Sequence, residues 1–213
     1  MNIALFTLYH DNYWPLADLV LPNWNEYCDR HDYGLMAHRG LYGGKEGFGF
    51  QKTQLVYDEL FGKYNTWEAA LVLDLDILIT NFTVRIEDFM DESHDIFATT
   101  GFNGLCLGSY IIKKTQGGRE IMEFMLANRY GYNNEQDTLK YHLDAPVLKD
   151  RIKFFPYHAF CSLMLSLYPE HGVPTRERGN WQPGDFVLHL AGLKIDKRLE
   201  IFQSPEVQSA IVR

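Results

Sequence analysis

Apolar residues fall into short runs along the chain, and polar residues separate them at two different periods. Residues 2–8 predict a short buried strand, and residues 13–31 a helix with Pro22 as a kink. A second strand is expected over 33–38. Five glycines between 40 and 49 then predict a mobile loop. Over 50–64, Leu55, Leu60 and Phe61 recur at helical spacing, with Lys52, Asp58 and Glu59 assigned to the opposite, polar face. Residues 69–73 are wholly apolar and run into Asp74-Leu75-Asp76, after which Ile77, Leu78 and Ile79 resume the apolar character.

Further along, strands are expected at 95–99 and 107–112 around a glycine turn at 101–104, and a helix at 117–128. Asn133-Asn134 before Glu135-Gln136 reads as the N-cap of a helix reaching about residue 143. Strands follow at 152–155 and 186–190. Between them, residues 168–184 hold three prolines and three glycines and predict a long loop, a kind of segment that is often functional. Strands alternating with helices indicate an α/β fold with a mostly parallel central sheet flanked by helices.

At 213 residues the chain is expected to form a single domain with a sizeable core. Its net charge of −8 and its scattered Lys and Arg argue against a nucleic-acid partner, which would require clustered basic residues. No apolar run is long enough for a membrane span, and the N-terminal residues lack the basic start of a signal peptide. Three cysteines without a CxxC pair argue against a disulfide framework or a structural zinc site. A reducing, cytoplasmic setting is therefore expected.

An all-apolar run such as 71–73 is the pattern of a strand buried on both faces, whose carboxyl end is where open α/β sheets bind ligands. Strand alternation would bring Asp74 and Asp76 to one side and turn Leu75 back into the packing. Two adjacent carboxylates repel unless they share a proton or a cation, and a hard divalent ion would also clamp phosphate oxygens. An isolated Asp-x-Asp is more often two solvated acids in a turn.

A second element adds weight: strand 186–190 ends at His189, with Gly192 and Lys194 just beyond. Imidazole with carboxylates suits manganese or a similar ion, Gly192 would let backbone approach a diphosphate, and Lys194 would carry charge toward a departing phosphate. Singly, His189 is more often an ordinary hydrogen-bonded histidine and Lys194 a solvated lysine; together with Asp74 and Asp76 that reading becomes the less favoured one. Thr7 and Tyr9, ending the first strand, are candidates to meet a base, although Tyr9 could equally cap the core. Trp181, Tyr157 and Phe160 are candidates to stack on sugar faces, while Trp24 and Trp67 read as core. Gly44-Lys45 lacks the rest of a P-loop.

With Asp74-Leu75-Asp76 as its Asp-x-Asp and His189-Leu190-Ala191-Gly192-Leu193-Lys194 as its His-x-x-Gly-x-x-Lys element, the sequence resembles the metal-dependent GT-A glycosyltransferases. It is most similar to the glycogenin/bacterial galactosyltransferase and galactosyl-/xylosyltransferase groups. That resemblance implies Mn2+ (or Mg2+) on Asp74, Asp76 and His189, with Gly192 and Lys194 on the donor diphosphate. His10-Asp11-Asn12-Tyr13 resembles a turn near the uridine, and Phe102-Asn103-Gly104 through Ser109 a donor-side loop that includes Asn103. Glu135-Gln136-Asp137-x-Leu139 resembles a helix start close to the sugar, and Lys52 a basic residue that reaches the donor.

The resemblance implies transfer from a UDP-sugar to a glycan acceptor with retention of configuration, as by a hexosyltransferase. Asp137 is the candidate nucleophile and Gln136 its stabiliser, although both also suit helix capping and the helix dipole. A same-face attack, in which the leaving phosphate takes the proton, stays open. Residues 1–100 would form the nucleotide-binding half and 101–213 the acceptor- and metal-completing half. Size and acidity are most similar to a glycosyltransferase domain of a large algal virus that heads a longer polypeptide, which would place it in the host cytoplasm. The pattern departs from the family at Ile195-Asp196, where an aromatic Pro-Trp is usual. A metal-dependent nucleotide-sugar hydrolase and a non-catalytic carbohydrate- or nucleotide-binding module are the alternatives.

Overall fold

The apolar runs become the inner strands of a six-stranded sheet. A computed structural model describes residues 1–41, 47–101, 104–132 and 134–213. Its elements run β1 (Ile3–Tyr9), α1 (Trp14–His31), β2 (Gly34–Arg39), α2 (Phe48–Phe61), β3 (Ala69–Leu73), β4 (Ile77–Ile79), β5 (Ile96–Gly101) and β6 (Gly104–Lys113). Then come α3 (Gln116–Ala127), α4 (Glu135–Tyr141), β7 (Ile152–Pro156), β8 (Ser162–Leu163), β9 (Val187–His189), α5 (Ile195–Phe202) and α6 (Pro205–Ser209). The main sheet is ordered β2-β1-β3-β6-β5-β7. Only β6 runs against its neighbours: β1 pairs parallel with β2 and β3, and β5 parallel with β7.

Strand alternation explains why β1 and β3 tolerate no polar face. Ile3, Leu5, Leu71 and Leu73 pack with Trp24 and Tyr27 of α1 on one side of the sheet. Ala4, Phe6, Ala70 and Val72 pack with Val56 and Leu60 of α2 and Ile121 and Met125 of α3 on the other. Both faces are covered, as the unbroken apolar runs predict. α1 continues through Pro22 to a left-handed C-cap at Asp32, so the proline sits inside the helix without ending it. Thr115 caps α3 by accepting from Gly118 N, and Asn134 caps α4 by accepting from Asp137 N.

A small second sheet, β4-β9-β8, was not foreseen as a separate layer. Its strands have only two or three residues each, too few to show a period. It positions His189, which faces Ile77 across the β4–β9 ladder and Leu163 across β8–β9. The expected boundary near residue 100 falls within the β5–β6 ladder, so both halves of the sequence share the main sheet.

The loop at 168–184 is pinned rather than open. Asp185 Oδ2 accepts from Ser162 Oγ, Arg176 Nη1 and Gln182 N, and Trp181 Nε1 donates to Thr80 Oγ1. The glycine-rich loop expected at 40–49 falls largely on residues 42–46, outside the described residues, and Phe48 already begins α2. Among the described residues no helix is long and apolar enough to cross a membrane.

Candidate active site

The chain leaves β3 at Leu73 and turns at once, so Asp74, Leu75 and Asp76 occupy a turn and not the strand itself. The expected strand alternation therefore does not apply, although Leu75 is buried as expected. Two backbone bonds set the carboxylates instead. Asp74 N donates to Gly108 O of β6 at 2.7 Å, and Leu190 N donates to Asp76 O at 2.9 Å. The first bond ties the turn to the main sheet and the second to the chain just past His189.

Each carboxylate meets its own cation. Lys52 Nζ lies 2.5 Å from Asp74 Oδ1 and 3.2 Å from Glu135 Oε1. Arg198 Nη2 lies 2.8 Å from Asp76 Oδ2, and His189 Nε2 lies 3.2 Å from Asp76 Oδ1. Lys52 is buried, which corrects its assignment to the polar face of α2. Helical periodicity cannot register two carboxylates waiting on other elements, and these make burial of an ammonium tolerable. Burial alone would lower the Lys52 pKa, but Asp74 and Glu135 outweigh it and hold the ammonium charged.

Three carboxylates thus face two fixed cations, and His189 supplies the balance. Burial lowers its pKa, yet the adjacent Asp76 carboxylate prevails and carries the imidazole up to about 10. Burial raises Asp76, but His189 and Arg198 bring it below the usual carboxylate range. For Asp74, withdrawal from water dominates over Lys52 and pushes the carboxyl up to about 6. His189 therefore contributes stability in full below its unfolded pKa of ~6.5, and that contribution fades as pH rises through about 10. In metal-free protein, the stability gap between wild type and His189→Asn is expected to narrow over this window in urea titrations. A gap independent of pH would contradict the ion pair.

Two carboxylates and an imidazole are ligand types that suit a hard divalent cation, although Asp74, Asp76 and His189 do not converge to within 4.8 Å of one another. Asp76 Oδ1 is buried and accepts no hydrogen bond. Gly108 lets the imidazole approach the backbone closely: a Cβ there would lie 2.6 Å from His189 Cε1, 3.1 Å from His189 Nε2 and 3.3 Å from Asp74 Oδ2. Asp74 stands off toward Lys52. Among the described residues, the three potential ligand atoms lying within 4.8 Å of one another belong to Cys106, Cys161 and His189. Gly108→Ala is expected to force the buried imidazole aside, costing about 1–3 kcal/mol. A lower urea midpoint with weakened Mn2+ binding checks this; wild-type values for both would contradict it.

Asp74 lines three adjoining cavities. One of about 380 Å³ is walled by Tyr9, His10, Tyr13, Phe48, Asp76 and Arg198, among others. A second, about 280 Å³, is bounded by Gln136, Tyr157, His189 and Gly192 together with Cys106 and Cys161. Lys52, Glu135 and Gln136 line the third, of about 240 Å³. Gln136 Oε1 accepts from Leu107 N at 2.9 Å, which anchors the amide on the wall. Gly192 has φ +74° with open space where a Cβ would be, a conformation in which glycine is least strained.

Other expected site residues lie elsewhere. Asp137 is absent from the walls of these cavities and sits in the first turn of α4, where its backbone N–H meets the Asn134 cap. Its neighbours Gln136 and Glu135 do reach the cavities. Lys194 is exposed at the N-cap of α5. The segment from Gly192 to Lys194 is one residue shorter than in the His-x-x-Gly-x-x-Lys pattern, and Arg198, one turn further on, is the cation beside Asp76. Thr7 is fully buried, off the walls of these cavities, while Tyr9 lines the largest of the three. Asn103 lies outside the described residues. Phe160 and Trp181 are core residues rather than sugar platforms, and Tyr157, although buried, does line a cavity.

Glu135, Arg198, Cys106 and Cys161 escaped the sequence reading. The acid at a helix start and the base on a short amphipathic helix look solvated, and the two cysteines are too far apart for a spacing rule.

No family model and no curated protein matches the chain. Solved structures do. A glycosyltransferase involved in the glycosylation of the major capsid of PBCV-1 superposes with a TM-score of 0.74 at 17% identity, over 95% of this chain and 99% of that one. The galactosyltransferase LgtC, solved with donor and acceptor sugar analogs, gives 0.58 at 12% identity over 94% and 95%. The glycosyltransferase GlyE of Streptococcus pneumoniae TIGR4 gives 0.58 at 12% identity, over 99% of this chain and 62% of its own. These likenesses extend over nearly the whole of this chain: the chain has the GT-A fold of glycosyltransferases.

Proposed function

We propose that this chain transfers a sugar from a UDP-sugar to a hydroxyl of a glycan acceptor, as a metal-dependent hexosyltransferase. The observation that carries the reading is the placement of Asp74 on all three cavities beyond the carboxyl end of β3, with Asp76 on two of them and His189 on one. The aromatic walls of the largest cavity, Tyr9, Tyr13 and Phe48, suit a nucleobase, with Arg198 and the acid pair toward the diphosphate. Gln136 and Glu135, at the start of α4, face the sugar.

Asp74, Asp76 and His189 would hold the divalent cation, Mn2+ or Mg2+. When bound, that cation supplies positive charge to the diphosphate as its bond to the sugar breaks. Lys52 and Arg198 add fixed positive charge within the same cleft and need not reorganise as the leaving group gains charge. His189 must give up its proton to ligate, so cation binding releases a proton.

Retention is best served by attack from the face that the diphosphate leaves. Among the described residues, the carboxylates on the cavity walls are Asp74, Asp76 and Glu135. Asp74 and Asp76 are committed to cations, and Glu135 is buried against Lys52. This supports a same-face attack, in which the acceptor hydroxyl would pass its proton to the departing phosphate, over a covalent intermediate on Asp137.

The test is UDP release from a panel of UDP-sugars with Mn2+, with and without glycan acceptors. Acceptor-stimulated release is expected. Release indifferent to every acceptor would favour hydrolysis, and binding without release would make the chain a binding module.

A further inference from the structure

On the side of His189 away from Asp76, two thiols converge on the imidazole. Cys161 Sγ lies 3.2 Å from His189 Nδ1, Cys106 Sγ lies 3.9 Å from it, and the two sulfurs are 2.8 Å apart as free thiols. Independent elements bring them together. Cys106 is set by its pairing with Thr99 in the β5–β6 ladder, and Cys161 by its N–H to Tyr157 O at 2.8 Å. His189 is set by Leu163 across the small sheet. Both cysteines and the histidine border the cavity of about 280 Å³.

We propose that Cys106 Sγ, Cys161 Sγ and His189 Nδ1 are the three protein ligands of a second cation site, selective for a soft divalent ion such as zinc. Two sulfurs and one imidazole nitrogen make the donor set of an open tetrahedral zinc site, with the fourth position toward the cavity. Thiolates favour zinc over manganese and magnesium, which prefer the carboxylates on the other side of the same ring. Charge favours the assignment as well. Zinc with two thiolates and a neutral imidazole is neutral overall, so it needs no further counter-charge where Cys161 and His189 are buried. Binding forms two S–Zn bonds and one N–Zn bond and releases to solvent the protons those atoms carried. The two sulfurs must move apart to tetrahedral spacing as the ion enters. The neutral ring ligates one cation at a time: with zinc on Nδ1 the remaining proton sits on Nε2, toward Asp76 Oδ1, so the two sites compete for His189. The soft site stands on this geometry alone and does not depend on the sugar-transfer reading.

The experiment titrates the full chain, reduced and stripped of metal, first with Co2+ and then with Zn2+. One equivalent of Co2+ is expected to give thiolate-to-cobalt charge-transfer absorption, which one equivalent of Zn2+ abolishes. Cys106→Ser and Cys161→Ser should each weaken Zn2+ binding by more than the roughly 10–100-fold typical of groups outside the ligand set. Cys28→Ser, whose thiol lies on α1 with its contact at Gly34 O, should leave it unchanged. Asp74→Asn should keep the thiolate band. A cobalt spectrum without that band in the wild-type chain overturns the proposal whether or not the variants fold. A band that persists in both cysteine variants, or a chain whose Cys106 and Cys161 return to a disulfide in place of binding Co2+, overturns it too.

Discussion

Asp76→Asn is expected to abolish cation-dependent UDP binding and to reduce sugar transfer by at least the ~10²–10³-fold typical of losing one electrostatic stabiliser. The reason lies in how Asp76 is held. Oδ2 neutralises the buried Arg198 at 2.8 Å, while Oδ1 is the buried oxygen with no hydrogen bond, beside His189. A neutral amide removes the anionic ligand and leaves the Arg198 guanidinium without its counter-ion. Breaking a buried pair from one side costs about 3–5 kcal/mol. His189 softens the loss, because without Asp76 it can shed its proton and be buried neutral. Arg198→Met in the same chain should recover much of the stability while binding stays lost, and a double-mutant cycle in urea would measure the coupling. Full activity in a stably folded Asp76→Asn protein would remove this residue from the site.

Lys52→Met carries the second large effect. Its ammonium is the shared partner of Asp74 and Glu135, and a thioether leaves both carboxylates facing each other without a cation. A loss of about 3–5 kcal/mol is expected, a large part of the 5–15 kcal/mol that holds a typical domain together. The sign of the pH dependence follows from the carboxylates. Withdrawal from water already pushes the Asp74 carboxyl up to about 6, and losing Lys52 removes an opposing influence, so the variant should regain stability as pH falls toward 5 and the acids protonate. Adding Glu135→Gln should recover part of the deficit at neutral pH. Urea midpoints across this range check both statements. A deficit that grows on acidification would mean that the two carboxylates are not its source.

The main sheet was legible because its strands obey simple constraints. The unbroken apolar runs of β1 and β3 can only be buried on both faces, and the polar break at Asp74 marks where burial ends. Long-range pairing was less legible. Asp74 and Asp76 could be picked out, but the strand alternation used to orient them was replaced by a turn whose shape depends on Gly108 and Leu190. Periodicity orients Lys52 wrongly, because the two acids that admit it to the interior come from the turn after β3 and from α4. Cys106 and Cys161 are separated by 55 positions and meet only after β6 and β8 are in place. Aromatic residues misled in the other direction. Trp181 sits in a polar stretch of sequence, yet burying its ring gains more than displaying it, so with Phe160 it completes the core.

The net charge of −8 acquires a specific meaning at the cleft. An acidic surface repels a diphosphate, yet here Lys52, Arg198 and His189 gather cationic groups at the one place where three carboxylates would otherwise dominate. The most direct measurement is calorimetric titration of UDP into the full chain with Mn2+ and, separately, with EDTA. Donor binding through Asp74, Asp76 and His189 predicts a tight one-to-one complex with Mn2+ and at least a tenfold loss, ~1.4 kcal/mol, under EDTA. Equal UDP affinity in both conditions would contradict it.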